Sequence, residues 1–177
     1  MSAKRTKEIN SIREGLTSSE DVLVSKALSK MGAKGDSSLL PDLISLWSET
    51  DNQKHKEEVE SILFGLKDKE ALNTLIAYIQ TNVSDEHKWL ALNAIWQSGF
   101  EASEHLTALM DFAINNSYTN AIDVMTIIEN SEFDGRNENI VDENLKKLGD
   151  YLLKNKSDNI SILLEIKSIL IEKKIEG

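Results

Sequence analysis

Four stretches of this chain align with one another without a gap: LPDLISLW (40–47), LNTLIAYI (72–79), LTALMDFA (106–113) and LKKLGDYL (145–152). Leu stands first in every copy (Leu40, Leu72, Leu106, Leu145) and fourth in every copy (Leu43, Leu75, Leu109, Leu148). The seventh position is large and apolar each time: Leu46, Tyr78, Phe112 and Tyr151. Apolar residues at i, i+3 and i+6 lie along one face of an α-helix. Successive copies begin 32, 34 and 39 residues apart, room for a helix, a turn and a second helix. Self-similarity at such a period indicates stacked units, none of which buries its apolar face alone.

The second helices are legible between the aligned copies as DVLVSKALSKMG, EEVESILFGL, HKWLALNAIWQSG and AIDVMTIIENS, and NISILLEIKSIL closes the chain. Turn-forming residues cluster at 15–19, 32–36, 50–52, 65–68, 82–84, 99–103, 115–118, 131–139 and 155–159, dividing the chain into about ten helices of 11 to 17 residues. Ser19, Asp36, Ser84 and Ser103 are placed to accept first-turn N–H groups as N-caps. Pro41 falls in a first turn, where its missing N–H has no helical partner to lose. Strand-like alternation bounded by turn residues is absent from the pattern. The expectation is an all-α, right-handed α-solenoid of about five helical hairpins (6–32, 38–66, 69–99, 103–131 and 138–174), forming one domain over 1–177. A chain of 177 residues has the length for one real core, burying roughly 70% of its unfolded surface.

The segment ALSKMGAKGDSSLLPDLISLW (27–47) resembles a HEAT repeat, in which a helix ends in a Gly-Asp turn and an apolar helix with an early Pro follows. Later copies keep the leucines, lose the Pro, and in the fourth lengthen the loop. The stretch ALNAIWQSGFEASEHLTALMDFAINNSYTNAIDVMTIIENSEFD (91–134) is similar to small bacterial HEAT-repeat proteins with no assigned activity. The resemblance spans most of the chain and is weakest in the last hairpin. It implies a scaffold or adaptor that binds other macromolecules, and it carries no catalytic residues.

Composition narrows the chemistry. There is no cysteine, which excludes disulfides, thiolate metal ligands and cysteine nucleophiles. No apolar run approaches the ~18 residues of a membrane span, and the basic start MSAKRTKEINSI leads into no apolar signal region, so the expected location is the cytoplasm. The net charge is −10 and unevenly spread. Residues 1–14 carry four basic against two acidic groups, 145–177 seven against five, and 101–144 one Arg against ten acids. A field of that sign repels phosphate backbones and attracts cationic surfaces. The expected partner is therefore another protein or a basic peptide, with neither nucleic acid nor membrane involved; nothing in the sequence speaks to oligomeric state.

Catalytic patterns are faint. His55, His87 and His105 form no i, i+4 pair for zinc. Glu86-His87 and Glu104-His105 resemble, in reversed order, two of the four His-Glu pairs of the HEAT-built deoxyhypusine hydroxylases, while the macrodipole alone favours an acid at a helix start. The loop NSEFDGRNENIV (130–141) echoes a calcium loop but ends in Val141 where a bidentate Glu is needed. No G-x-S-x-G or P-loop pattern is present. The expectation is no enzyme, no cofactor and no metal. A HEAT-like enzyme, of the metal-dependent hydroxylase or DNA glycosylase type, stands as the alternative, as does an immunity-type inhibitor of a basic toxin.

The strongest binding signal is the helix starting near Asp85. Trp89, Asn93 and Trp96 are spaced i, i+4, i+7, with Gln97 beside them, on a different stripe from Leu90 and Ala94. The corresponding helix of the next hairpin offers Asp123, Thr126, Ile127 and Asn130 at similar positions. Trp is enriched among interface anchors. Trp47, which ends an apolar stripe, reads as core. An aromatic centre flanked by the acidic 101–144 segment suits a basic partner.

Overall fold

The computed structural model describes residues 3–155 and 158–176, with the side chains of 33, 34 and 176 outside that description. Part of the expected break at 155–159 lies outside the described residues. Among the described residues ten α-helices follow one another and no strand occurs: α1 (Ala3–Leu16), α2 (Asp21–Lys34), α3 (Leu40–Glu49), α4 (Gln53–Phe64), α5 (Lys69–Ile79), α6 (Asp85–Gln97), α7 (Leu106–Asn115), α8 (Tyr118–Asn130), α9 (Glu138–Lys154) and α10 (Ile160–Glu176). The all-α expectation holds. None of these helices is long and apolar enough to cross a membrane. The shortest, α3 and α7, have ten residues, and each is preceded by a single 3-10 turn, Ser37–Leu39 and Ser103–His105.

Packing follows a regular scheme. Each odd-numbered helix lies against the even-numbered helix that follows it. The odd helices also pack on one another in order, α1 on α3 through to α9, and the even helices do the same from α2 to α10. Two rows result, and the aligned leucines lie in the odd row. Leu40, Leu43, Leu72, Leu75, Leu106, Leu109 and Leu148 are buried, Leu145 is half-buried, and all belong to or pack on a core running from Ile9 to Leu170. Burying each such side chain contributes about 1.5–3 kcal/mol, which is why the spacing is kept in every copy.

Helix ends are set locally. Asp36, Asn52, Asp68, Ser84 and Ser117 each accept a backbone N–H one turn into the element they precede. Two expected caps differ. Glu20, with no side-chain cap bond, occupies the N-cap of α2 in place of Ser19, and Ser103 lies inside a 3-10 turn whose N-cap is Ala102. The C-terminus of α6 closes in a Schellman motif: Phe100 N–H donates to the Ile95 carbonyl at 3.3 Å and Gly99 N–H to the Trp96 carbonyl at 3.1 Å. Gly99 has φ of 65°, a left-handed conformation that favours glycine.

Polar ties join neighbouring units. The Ser98 hydroxyl donates to the Leu63 carbonyl at 2.9 Å, while Lys67 Nζ donates to the Ser98 carbonyl at 2.7 Å. Arg13 reaches Asp42 at 3.0 Å, and Lys173 donates to the Ser131 carbonyl at 2.8 Å. The bonds to Leu63, Ser98 and Ser131 satisfy carbonyls at helix ends that have no intrahelical donor.

Candidate partner-binding face

Helix α6 is the middle member of the even row, between α4 and α8, with α3 and α5 also against it. Neighbours on that many sides bury Leu90, Ala91, Leu92, Asn93, Ala94 and Ile95 in one unbroken run. The expected single stripe is therefore too narrow. Of the four residues singled out on this helix, Trp89 (37% exposed) and Gln97 reach solvent, Trp96 is half-buried against the core, and Asn93 is buried at 9% exposure. The Asn93 amide turns back along its own helix and donates to the Trp89 carbonyl at 2.9 Å.

Trp89 pairs with Trp47. Their ring centroids lie 5.7 Å apart at an interplanar angle of 38°, a tilted geometry that aromatic quadrupoles favour. Trp47 is half-buried, not core as its stripe implied. Its indole N–H donates to Glu60 Oε1 at 2.8 Å, and Lys56 Nζ stands 4.9 Å from its ring centroid. Comparison of the aligned copies contains the signal for this. The eighth position, Trp47 in the first copy, is Ile79 and Ala113 in the next two, and both are buried at 1% exposure or less. An indole exceeds that slot in volume and carries an N–H that requires an acceptor.

On α8, which packs directly on α6, the sequence-derived residues divide in the same way. Asn130 is exposed and donates to the Thr126 carbonyl at 2.7 Å, while the half-buried Thr126 hydroxyl donates to the Ile122 carbonyl at 3.1 Å. Ile127 is buried. Such back-bonding to i−4 is the local alternative open to Asn and Thr side chains on a helix. Asp123 is half-buried, its Oδ2 is shut from solvent with no hydrogen-bond partner, and burial pushes its pKa up to about 6.

About half of the acids in the middle of the chain are engaged by cations, most of them from outside that segment. Glu104 pairs with Lys69 at 2.6 Å, Asp134 with Arg136 at 2.6 Å, Asp142 with Lys174 at 2.5 Å, and Asp111 with Lys147. Glu101 accepts the backbone N–H of Ser103 at 2.9 Å and of Glu132 at 2.7 Å. Two of these partners, Lys147 and Lys174, come from α9 and α10, the mildly basic end of the sequence, because stacking sets that end against the acidic segment. Exposed pairs of this kind stabilise little, but they offset part of the acidity expected beside the tryptophans.

The histidines are held apart by separate roles. His55 is buried, with Nε2 3.1 Å from the Ser25 hydroxyl. His87 has Ser48 Oγ at 2.6 Å and Tyr78 Oη at 2.9 Å on its two ring nitrogens. His105 is half-buried in its 3-10 turn, where desolvation lowers its pKa. No three His, Asp or Glu side chains converge as a metal site among the described residues. In the 130–141 loop, Asp134 is bonded to the Arg136 guanidinium and backbone, and Asn137 Oδ1 accepts the Asp134 N–H at 3.3 Å. Compared with protein-family models, curated proteins and solved structures, the chain matches none of them.

Proposed function

We propose that the chain is a short right-handed HEAT-like α-solenoid that works in the cytoplasm as a non-enzymatic protein-binding scaffold or adaptor, with the even-numbered helices as its concave, binding side. The observation that carries this reading is the half-open Trp47–Trp89 pair, reached from α3 and α6 at the middle of a continuous row of helices. A stacked array offers one long surface of repeated helices to a partner, and a large aromatic at its centre supplies the anchor that alanine scans find dominating interfaces. Thr126, Asn130 and Gln97 offer polar groups on the same even-numbered row.

The test is direct titration of a partner captured with the purified protein, using wild type, Trp89→Ala and Trp96→Ala, with thermal melts on the same samples. Trp89→Ala is expected to weaken binding at least tenfold and to leave the melt within a few degrees of wild type. Unchanged affinity in both folded variants would place the binding surface elsewhere.

A further inference from the structure

One residue at this face already behaves as a ligand. Lys56, at the start of α4, lays its ammonium 4.9 Å from the Trp47 ring centroid. Among the described residues it forms no ion pair, although α4 carries Glu57, Glu58 and Glu60. Its neighbour Lys54, by contrast, projects into solvent and approaches Glu58 at 3.9 Å. Beside Lys56, Glu60 accepts the Trp47 indole N–H through Oε1, and among the described residues its Oε2 makes no hydrogen bond. Trp89 closes the cluster at 5.7 Å from Trp47, and the exposed Glu86 lies three residues earlier on α6, on the same side of that helix. An indole face that already carries an ammonium, with a second indole and a carboxylate bonded beside it, has the groups that recognise a cation, ring quadrupole and charge.

We infer that Trp47, Trp89 and Glu60 form a receptor for an Arg or Lys side chain of a basic partner segment, and that Lys56 is an internal placeholder which the incoming cation displaces. The inference rests on the partner-binding reading above and adds to it the chemical class of the partner and a built-in competitor. A chain of net charge −10 draws such a segment toward it. Displacing Lys56 exchanges one cation for another on the Trp47 ring, so Lys56 sets a threshold that monovalent cationic solutes do not overcome and a multivalent basic segment does. An Arg side chain adds planar stacking on the indole and a fork of donors for Glu60, neither of which an ammonium provides.

The experiment uses the full chain at low salt with rhodamine-labelled nona-arginine, its neutral counterpart nona-citrulline, and four proteins: wild type, Lys56→Gln, Lys54→Gln and Trp89→Leu. Far-UV circular dichroism confirms that each is folded. Nona-arginine is expected to bind, nona-citrulline to bind at least tenfold more weakly, and Trp89→Leu to lose affinity several-fold. Lys56→Gln and Lys54→Gln remove the same charge, yet only the first vacates the ring. Lys56→Gln should therefore tighten binding about two- to fivefold beyond Lys54→Gln. Equal gains in the two Lys variants overturn the placeholder, while a surviving Trp89 dependence leaves the wider binding-face reading intact. No binding of nona-arginine, or equal binding of the citrulline peptide, overturns the cation receptor. Arginine binding that ignores Trp89→Leu overturns both.

Discussion

Replacing Asp123 by Asn is expected to stabilise the protein at neutral pH and to lose that advantage in acid. The carboxyl sits half-buried on α8 with Oδ2 closed off from water, and burial raises its pKa from 3.8 to about 6. Unscreened, a shift of that size corresponds to roughly 3 kcal/mol; part of the side chain remains in water, so solvent screening reduces it to about 1–2 kcal/mol. The sign follows from proton linkage. The folded state holds the Asp123 proton more tightly than the unfolded chain does. The stabilisation is therefore fully present below the unfolded pKa and disappears as pH rises from about 4 through about 6. Above that window the ionised carboxylate is a standing cost, which a neutral amide of the same shape does not incur. Urea unfolding of wild type and Asp123→Asn, followed by far-UV circular dichroism at about pH 4 and about pH 7.5, measures the difference. The variant should gain about 1–2 kcal/mol on wild type between the two conditions. A gap independent of pH, or one that favours wild type more strongly at pH ~7.5, refutes the reasoning.

Two further perturbations test the packing. A Cβ built on Gly15 would sit 2.7 Å from the Ala27 Cβ and 3.3 Å from the Leu23 carbonyl, so Gly15→Ala must push α1 off α2. Its net cost, after a helix-propensity gain of up to ~1 kcal/mol, should be about 1–2 kcal/mol in a denaturant melt. Ser98→Ala removes the buried hydroxyl that donates to the Leu63 carbonyl and should cost about 1–2 kcal/mol with helix content unchanged; thermal unfolding of the variant checks it.

What was legible in the sequence, and what was not, divides along a physical line. The aligned leucines located the odd helices because a packed face needs its apolar side chains at fixed helical spacing, and seven of those eight residues are buried. The same periodicity failed for α6. A helix with neighbours on several sides is buried most of the way round, so the run from Leu90 to Ile95 shows no stripe, and Asn93 does not share the open face its spacing suggests. Trp47 looks like core at the end of an apolar stripe until its volume is compared with Ile79 and Ala113 at the same repeat position. Of the expected caps, Asp36 and Ser84 cap the elements they precede as short acceptors, whereas Ser103 does not, because a 3-10 turn begins at that residue with Ala102 as its N-cap. The charge sums were correct by segment and incomplete in space. Lys69, Lys147 and Lys174 reach the acidic segment only through the stacking of helices distant in sequence. The Lys56–Trp47 contact is likewise invisible in sequence, since nothing local indicates which ring a half-buried lysine will cover.

The claim that the even-numbered row is the binding side is most directly tested by photocrosslinking in the cells that make the protein. A photoreactive amino acid is placed at position 89 on α6 in one version and at position 77, exposed on α5 of the odd row, in another. A discrete protein adduct from position 89, with none from position 77, is the expected result. A discrete adduct from position 77 and none from position 89, with both variants folded, would contradict it.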